Sequence, residues 1–301
     1  IVGFHTPFHC RNFIDAVDRY LEARIEHEHS TVSYRGEQTL VESYPISIAW
    51  PDTDSVSRWP APAECRRQVC HRLGIPADHR LGGGVGRFVY PKGILERLHA
   101  VERLLEKYPQ WRGRFTMVQV AAPTRAALEE YQAFQHRIEQ VVERINNRFG
   151  GPGGNVVRLL AQHHEPDEVN RLYRSADVCM VTSLHDGMNL VCKEFVAARD
   201  DEQGVLILSR FAGAARGMPE ALIVNPYHVE GVAHALLAAP VMQPAEQRER
   251  MASLRSTVRE DNVFRWAGRM LTDAARWRLR ERITERVQRH GDPAQRSSAA
   301  G

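Results

Sequence analysis

The amino-acid sequence predicts an α/β protein built on a doubly wound, open parallel sheet. Three observations predict it. Short apolar runs at residues 115–121, 178–181 and 205–208 read as strands buried on both faces. Amphipathic segments alternate with them, most plainly at 94–108, where Ile94, Leu98, Val101, Leu105 and Tyr108 share one face. Clusters of Gly, Pro, Asn and Asp punctuate the joins. Strictly alternating strands and helices imply crossover units, and so a parallel sheet covered on both faces.

Taken in order, residues 1–4 read as a strand end and 5–9 as a loop. Residues 12–23 carry Phe13, Ile14, Val17, Tyr20 and Leu21 at helical spacing. Residues 31–34 and 38–41 flank Arg35-Gly36 and predict a hairpin. Residues 43–48 are expected as a last short strand. The Pro-rich run from Trp50 to Pro62 reads as a crossing between domains. A helix is expected over 64–73, and residues 80–90, containing Gly82-Gly-Gly-Val-Gly86, open a new unit. Helices follow at 94–108 and 126–149, a strand at 156–160 and a helix at 166–175. The strand at 178–181 leads into Thr182-Ser-Leu-His-Asp-Gly-Met-Asn-Leu-Val-Cys-Lys-Glu194 and a helix. Strands at 205–208 and 221–224 and a helix at 229–238 complete the sheet domain. Residues from 245 read as helices with a polar tail beyond His290. The expected domains are 1–50, 51–240 and 241–301.

Composition narrows the function. The 301 residues suffice for two domains, and a formal charge of +3 is too small to argue for nucleic acid or an anionic membrane. No apolar run approaches the roughly 18 residues that span a bilayer. The five cysteines lack zinc-ligand spacing, so buried thiols in a reducing, cytoplasmic setting are expected. The chain opens without Met, inside a strand, and is expected to be a fragment lacking its start.

Four constellations carry candidate chemistry. Asp186 to Glu194 lies where a strand turns into a helix, a place where backbone N–H groups and the helix dipole favour anions. Glu194, expected about two turns into that helix, could accept hydrogen bonds from a diol; a capped helix with a solvated Glu is the plain alternative. Arg87 and Lys92 flank a second strand–helix junction, where two cations could neutralise a diphosphate. The Gly-rich run before them matches neither the dinucleotide fingerprint nor a P-loop, so an ordinary connection with solvated charges remains open. His163-His164 ends a strand; adjacent side chains diverge, which argues against a shared metal. Arg125 follows the strand at 115–121, at the sheet edge where ligands bind. His5 and His9 are four apart, but Pro7 between them argues against a helix and a metal pair.

These residues resemble one family. Asp186-Gly-Met-Asn-Leu-Val191, Lys193-Glu194 and Val196-Ala-Ala198 are similar to the signature of trehalose-6-phosphate synthases and the related glucosylglycerol-phosphate synthases. The likeness continues at Gly84-Val85, Arg87, Tyr90, Lys92-Gly93-Ile94, Leu105 to Gly113, Phe211 to Ala215, Glu220 to Leu222 and Val224 to Tyr227. It implies a GT-B fold, with a donor domain and a remnant of a second, Rossmann-like acceptor domain at residues 1–50. It implies a retaining glycosyltransferase that moves glucose from UDP-glucose, or a similar nucleotide sugar, to a phosphorylated sugar or polyol. Glucose 6-phosphate would give trehalose 6-phosphate; glucosylglycerol phosphate is the alternative product. By position, Arg87 and Lys92 would hold the diphosphate and Asp186 would meet the glucose. Gly187, Met188, Asn189, Leu190 and Val191 would bind sugar and phosphate through backbone amides, and Glu194 the ribose. Val120, His163 and His164 would line the nucleobase, and Arg125 would reach the acceptor phosphate. No metal or cofactor is expected, no nucleic-acid or membrane partner, and a homo-oligomer is left open. The fragment is expected to be inactive alone. A rival reading is a non-catalytic homologue that binds a nucleotide sugar. It is favoured by Gly86 and Val89, which stand where the family run carries carboxylates, and by Arg210 in place of Glu. A nucleotide-sugar epimerase is a third reading, weakened by the missing Tyr-x-x-x-Lys couple.

Overall fold

The structure, a computed structural model, describes residues 1–123, 128–151 and 154–291. The chain forms two compact units: Ile1–Ile46 with the residues from Asn262 onward, and Ser47–Asp261.

In the smaller unit, strand β1 (Val2–Phe4) leads to helix α1 (Pro7–Tyr20), followed by strands β2 (Arg24–Glu26), β3 (Thr31–Tyr34) and β4 (Glu37–Ser43). Their order is β1-β4-β3-β2, with β1 parallel to β4 and the other pairs antiparallel. The predicted hairpin is present: Tyr34 pairs with Glu37 across Arg35 and Gly36, both at positive φ, as a tight turn with the strand's own twist requires. Helix α1 starts earlier than its spacing suggests. Pro7 sits at the first helical position, where a missing N–H costs nothing, and the Thr6 hydroxyl accepts the His9 N–H. The loop expected over 5–9 is therefore corrected: Pro7 opens a helix instead of preventing one. The strand expected over 43–48 is absent, because β4 stops at Ser43 and Pro45 cannot donate to a ladder.

The larger unit begins with helix α2 (Thr53–Ser57), inside the run read as a crossing. The Asp52 carboxylate accepts the Ser55 N–H at 2.6 Å and fixes its start. Helix α3 (Pro62–Leu73) precedes strand β5 (Arg80–Arg87), helix α4 (Ile94–Lys107), strand β6 (Phe115–Ala122), helix α5 (Glu129–Phe149) and strand β7 (Val157–Leu160). Helix α6 (Pro166–Ser175), strand β8 (Val178–Val181), helix α7 (Val191–Ala198) and strands β9 (Val205–Ser209) and β10 (Leu222–Val224) follow. Helices α8 (Val229–Ala238) and α9 (Pro244–Glu260) complete it. The six strands are parallel, in the order β10-β9-β8-β5-β6-β7. The chain thus builds outward from β5 in one direction and then, from β8, in the other. The switch point lies between β5 and β8, where open α/β sheets bind ligands at the strands' carboxyl ends.

Both faces of this sheet are covered. On one, Ile94, Leu98, Val101 and Leu105 pack with Ile138, Ile145, Met117 and Met180. On the other, Val69, Cys70, Leu81, Val118, Val120 and Leu172 form a second cluster. The glycine run is part of strand β5, not a loop. A Cβ at Gly82 would lie 2.7 Å from Phe115 Cζ, and one at Gly84 2.7 Å from an Arg97 Nη, so the missing side chains make room for neighbours. All five cysteines are free and buried.

Helix α10 (Val263–Gly291) belongs to the smaller unit. The Trp266 indole donates to the Tyr44 carbonyl at 3.2 Å, and the Tyr44 hydroxyl donates to Asp273 at 3.2 Å. Burial and the nearby Asp273 carboxylate push the Tyr44 phenol up to about 12. Among the described residues, no helix is long and apolar enough to cross a membrane.

Gly93 joins β5 to α4 at φ +62°, and a Cβ there would lie 2.1 Å from the Thr182 carbonyl oxygen. Gly93→Ala is expected to cost more than about 1 kcal/mol of stability, since both the left-handed backbone and the contact oppose it. Urea denaturation of the two proteins measures the difference.

Candidate functional site

Two loops meet at the switch point, one after β5 and one after β8. The first carries Lys92 in a single helical turn, Tyr90–Lys92. The second carries Asp186. Lys92 Nζ lies 2.6 Å from Asp186 Oδ2, and both side chains are mostly buried. The same oxygen accepts Asn189 Nδ2 at 3.0 Å and the Ser183 hydroxyl at 3.4 Å. Residues 94 apart in sequence thus make one hydrogen-bonded cluster.

Each loop is held by backbone contacts. Leu184 N–H donates to the Pro91 carbonyl at 2.8 Å, so the two loops are joined directly. The second loop is also joined to the segment after β9: Asp186 N–H donates to Phe211 O, Gly213 N–H to Asp186 O, and Ala214 N–H to Met188 O. Asn189 adopts φ +72° and its Oδ1 accepts the Cys192 N–H at 3.2 Å, closing the first turn of α7. Asn tolerates that conformation better than most residues do.

Beneath the loops lies Arg97, a residue the sequence reading did not single out. It is buried, and its guanidinium donates to Gln119 Oε1 at 2.7 Å, Thr182 Oγ1 at 3.1 Å and the Lys92 carbonyl at 3.3 Å. Burial lowers its pKa to about 10, which leaves it a cation near neutrality. One signal was available: a charged residue set among Ile94, Leu98 and Val101 on a helix that otherwise faces the core.

The remaining expected residues fall in different settings. Arg87 ends β5 and is exposed; among the described residues its side chain makes no hydrogen bond or ion pair, while its carbonyl accepts the Val89 N–H at 2.7 Å. Gly187 and Leu190 are half-buried, Met188 is buried, and Val191 opens α7. Glu194 lies in the first turn of α7, not about two turns in, because the loop runs on to Leu190; it is still exposed, with Oε2 accepting the Tyr173 hydroxyl at 3.0 Å. The surrounding walls raise its pKa by desolvation, and the phenol draws it partly back. Val120 is committed to the core beside Leu81 and Leu172, and its carbonyl accepts Gln119 Nε2. The adjacent histidines diverge as expected. His163 is exposed, whereas the His164 ring is buried with Nδ1 3.0 Å from Glu168, which also pairs with Arg72. Arg125 lies outside the described residues.

A carboxyl-edge cluster of this kind, on a sheet of this order, invites comparison with known proteins. Residues 1–276 match the model of glycosyltransferase family 20. The chain belongs to that family. A UDP-forming alpha,alpha-trehalose-phosphate synthase from Pichia angusta is 34% identical over 279 residues, covering 92% of this chain and 57% of that protein. A trehalose-6-phosphate synthase from Mycobacterium sp. (strain JLS) is 39% identical, covering 89% of this chain and 56% of its own length. Among solved structures, the E. coli trehalose-6-phosphate enzyme bound with UDP-2-fluoro glucose aligns with a TM-score of 0.83 at 34% identity, over 90% of this chain and 59% of that one. The Burkholderia xenovorans synthase in complex with glucose-6-phosphate aligns with a TM-score of 0.82 at 35% identity, over 90% and 60%. This family 20 chain therefore spans under two thirds of the length of these relatives, and its fold class is α/β of the GT-B type.

Lys92 and Asp186 neutralise each other. Asp186→Asn leaves the lysine charge uncompensated, so inorganic pyrophosphate is expected to bind about two- to tenfold more tightly. Titration calorimetry reads the change; equal or weaker binding would count against Asp186 as the balancing charge.

Proposed function

We propose that this chain carries the nucleotide-sugar side of a retaining glucosyltransferase. The donor is UDP-glucose or a near relative, the acceptor a phosphorylated sugar such as glucose 6-phosphate, and the product trehalose 6-phosphate. The observation that carries this reading is the Lys92–Asp186 contact at the switch point, with Arg87 at the end of the adjoining strand. The named ligands of the relatives, UDP-2-fluoro glucose and glucose-6-phosphate, agree with it.

The chemistry follows from charge. Breaking the bond between glucose and UDP develops negative charge on the departing diphosphate. Lys92 and Arg87 hold cations where that charge appears, and preorganised cations stabilise the transition state more than the ground state. Asp186 accepts hydrogen bonds from glucose hydroxyls once Lys92 turns to the phosphate. Backbone amides of residues 187–191 bind sugar and phosphate at the start of α7. Glu194 takes the ribose diol. Val120, His163 and His164 flank the base, and Arg125 reaches the acceptor phosphate. With two cations on the diphosphate, no metal and no further cofactor is required. Domain roles follow the same division: donor binding belongs to residues 51–240, and residues 1–50 are the remnant of the acceptor domain.

The rival reading, a non-catalytic homologue that binds a nucleotide sugar, is favoured by the missing carboxylates at Gly86 and Val89. Against it, Lys92 is oriented without them, by Asp186, the Gly93 turn and Arg97.

In a chain of the relatives' full length, Arg87→Ala or Lys92→Ala is expected to lower kcat/KM by roughly 2–4 kcal/mol of transition-state stabilisation. A UDP-release assay with glucose 6-phosphate measures it, and rates within about twofold of the parent for both variants would reject the assignment. The present chain is expected to bind UDP by calorimetry yet release none from UDP-glucose, because transfer needs both sugars fixed in one geometry.

A further inference from the structure

Glu194 does not stand alone on α7. Its carboxylate is reached from the neighbouring helix α6 by the phenol of Tyr173, at 3.0 Å. Tyr173 is buried, and its ring meets the buried ring of Phe195 edge-on, with centroids 6.3 Å apart. The two helices are fastened to each other again at their C-terminal ends. Arg174 donates to the Ala198 carbonyl at 2.7 Å, and Arg199 donates to the Tyr173 carbonyl at 3.2 Å. The phenol therefore has a fixed position relative to α7. Among the described residues, the other carboxylate oxygen of Glu194 accepts no hydrogen bond, and the side chain keeps its opening to solvent.

On the nucleotide reading above, we infer that Tyr173 is a positioning residue for the donor's nucleoside: its hydroxyl pins one oxygen of Glu194 and presents the other to the ribose diol. An unpinned glutamate would lose rotamer freedom on binding, a cost that a preset carboxylate avoids. The proton stays on the phenol. Burial and the facing carboxylate raise Tyr173 well above its ordinary value, so it donates throughout the accessible pH range. The pin also favours the charged form of Glu194. Desolvation raises the carboxyl and the phenol's hydrogen bond lowers it, so losing the phenol would raise it further. The other titratable groups facing this pair are neutral thiols and cations. From β8 comes Cys179, pushed up to about 12 by burial, with Arg97 and Arg199 facing it. From α7 comes Cys192, raised still further by burial, with Lys193 facing it. Glu194 is thus the group of this cluster that titrates on the acid side.

The test is titration calorimetry of the whole chain with UDP and with inorganic pyrophosphate, from mildly acid to neutral pH. Tyr173→Phe keeps the ring packing and removes the donor. It is expected to weaken UDP about 5- to 20-fold, the worth of a hydrogen bond to a charged group. Pyrophosphate affinity should be unchanged, and the acid-side loss of UDP binding should move to higher pH. Glu194→Gln should abolish that acid-side loss. Unchanged UDP affinity and an unmoved acid limb in Tyr173→Phe would overturn the inference, as would equal weakening of UDP and pyrophosphate, which marks a purely structural role. Should Tyr173→Phe fail to fold, 3,5-difluorotyrosine at position 173 is the second variant. A more acidic phenol donates more strongly, so the acid limb should move to lower pH; an unmoved limb again rejects the inference. If the parent chain itself prefers UDP no more than pyrophosphate, the nucleotide reading has failed, and this inference with it, before any variant is compared.

Discussion

The candidate site depends on a charge kept inside the protein. Removing a guanidinium from water costs several kcal/mol, so a buried arginine survives only where each of its nitrogens finds an acceptor. Arg97 meets that condition by reaching a side chain of β6, the hydroxyl that follows β8 and a carbonyl of the loop after β5. Those segments come from the middle of the sheet, on both sides of the switch point. The guanidinium thus fixes the height of both loops before any ligand arrives. Gly84 follows from the same requirement, since a side chain there would occupy the guanidinium's space. Lys92 inherits its position from Arg97 through its carbonyl, and Asp186 inherits its own from Lys92.

Much of this arrangement was legible in the sequence. Buried strands at 178–181 and 205–208 announced themselves as uninterrupted apolar runs, because a parallel strand covered on both faces needs no alternation. The hairpin around Arg35-Gly36 was legible because residue type and turn geometry are tightly linked there. Asp186 and Lys92 were singled out by their places after strands; the neighbouring of β5 and β8 that joins them comes from the structure.

What escaped the sequence escaped for physical reasons. Tyr173 and Arg97 reach other side chains 21 to 85 residues removed in sequence, and nothing local marks such a partner. Strand β2 is three residues long and half exposed, too short for a period to show. Pro7 was read as a helix breaker when it occupies the one helical position that favours proline. The glycine run read as a flexible junction is strand, because its purpose is steric: Phe115, Met117 and Arg97 fill the volume that side chains would take.

The bond between Tyr44 and Asp273 spans 229 residues. It makes the smaller unit discontinuous, while the larger is one uninterrupted stretch from Ser47 to Asp261. On a ribosome the two therefore mature in a set order. Residues 1–46 emerge before the sheet but lack the helix that covers Tyr44, and they must wait while the six-stranded sheet is synthesised. The sheet, whose strand pairings all lie within its own stretch, can condense meanwhile as a unit. Only when Trp266 and Asp273 follow can the earlier segment bury its tyrosine. For that interval Val41, Val17 and Ile14 share a small apolar cluster, so a segment made before the sheet is finished after it.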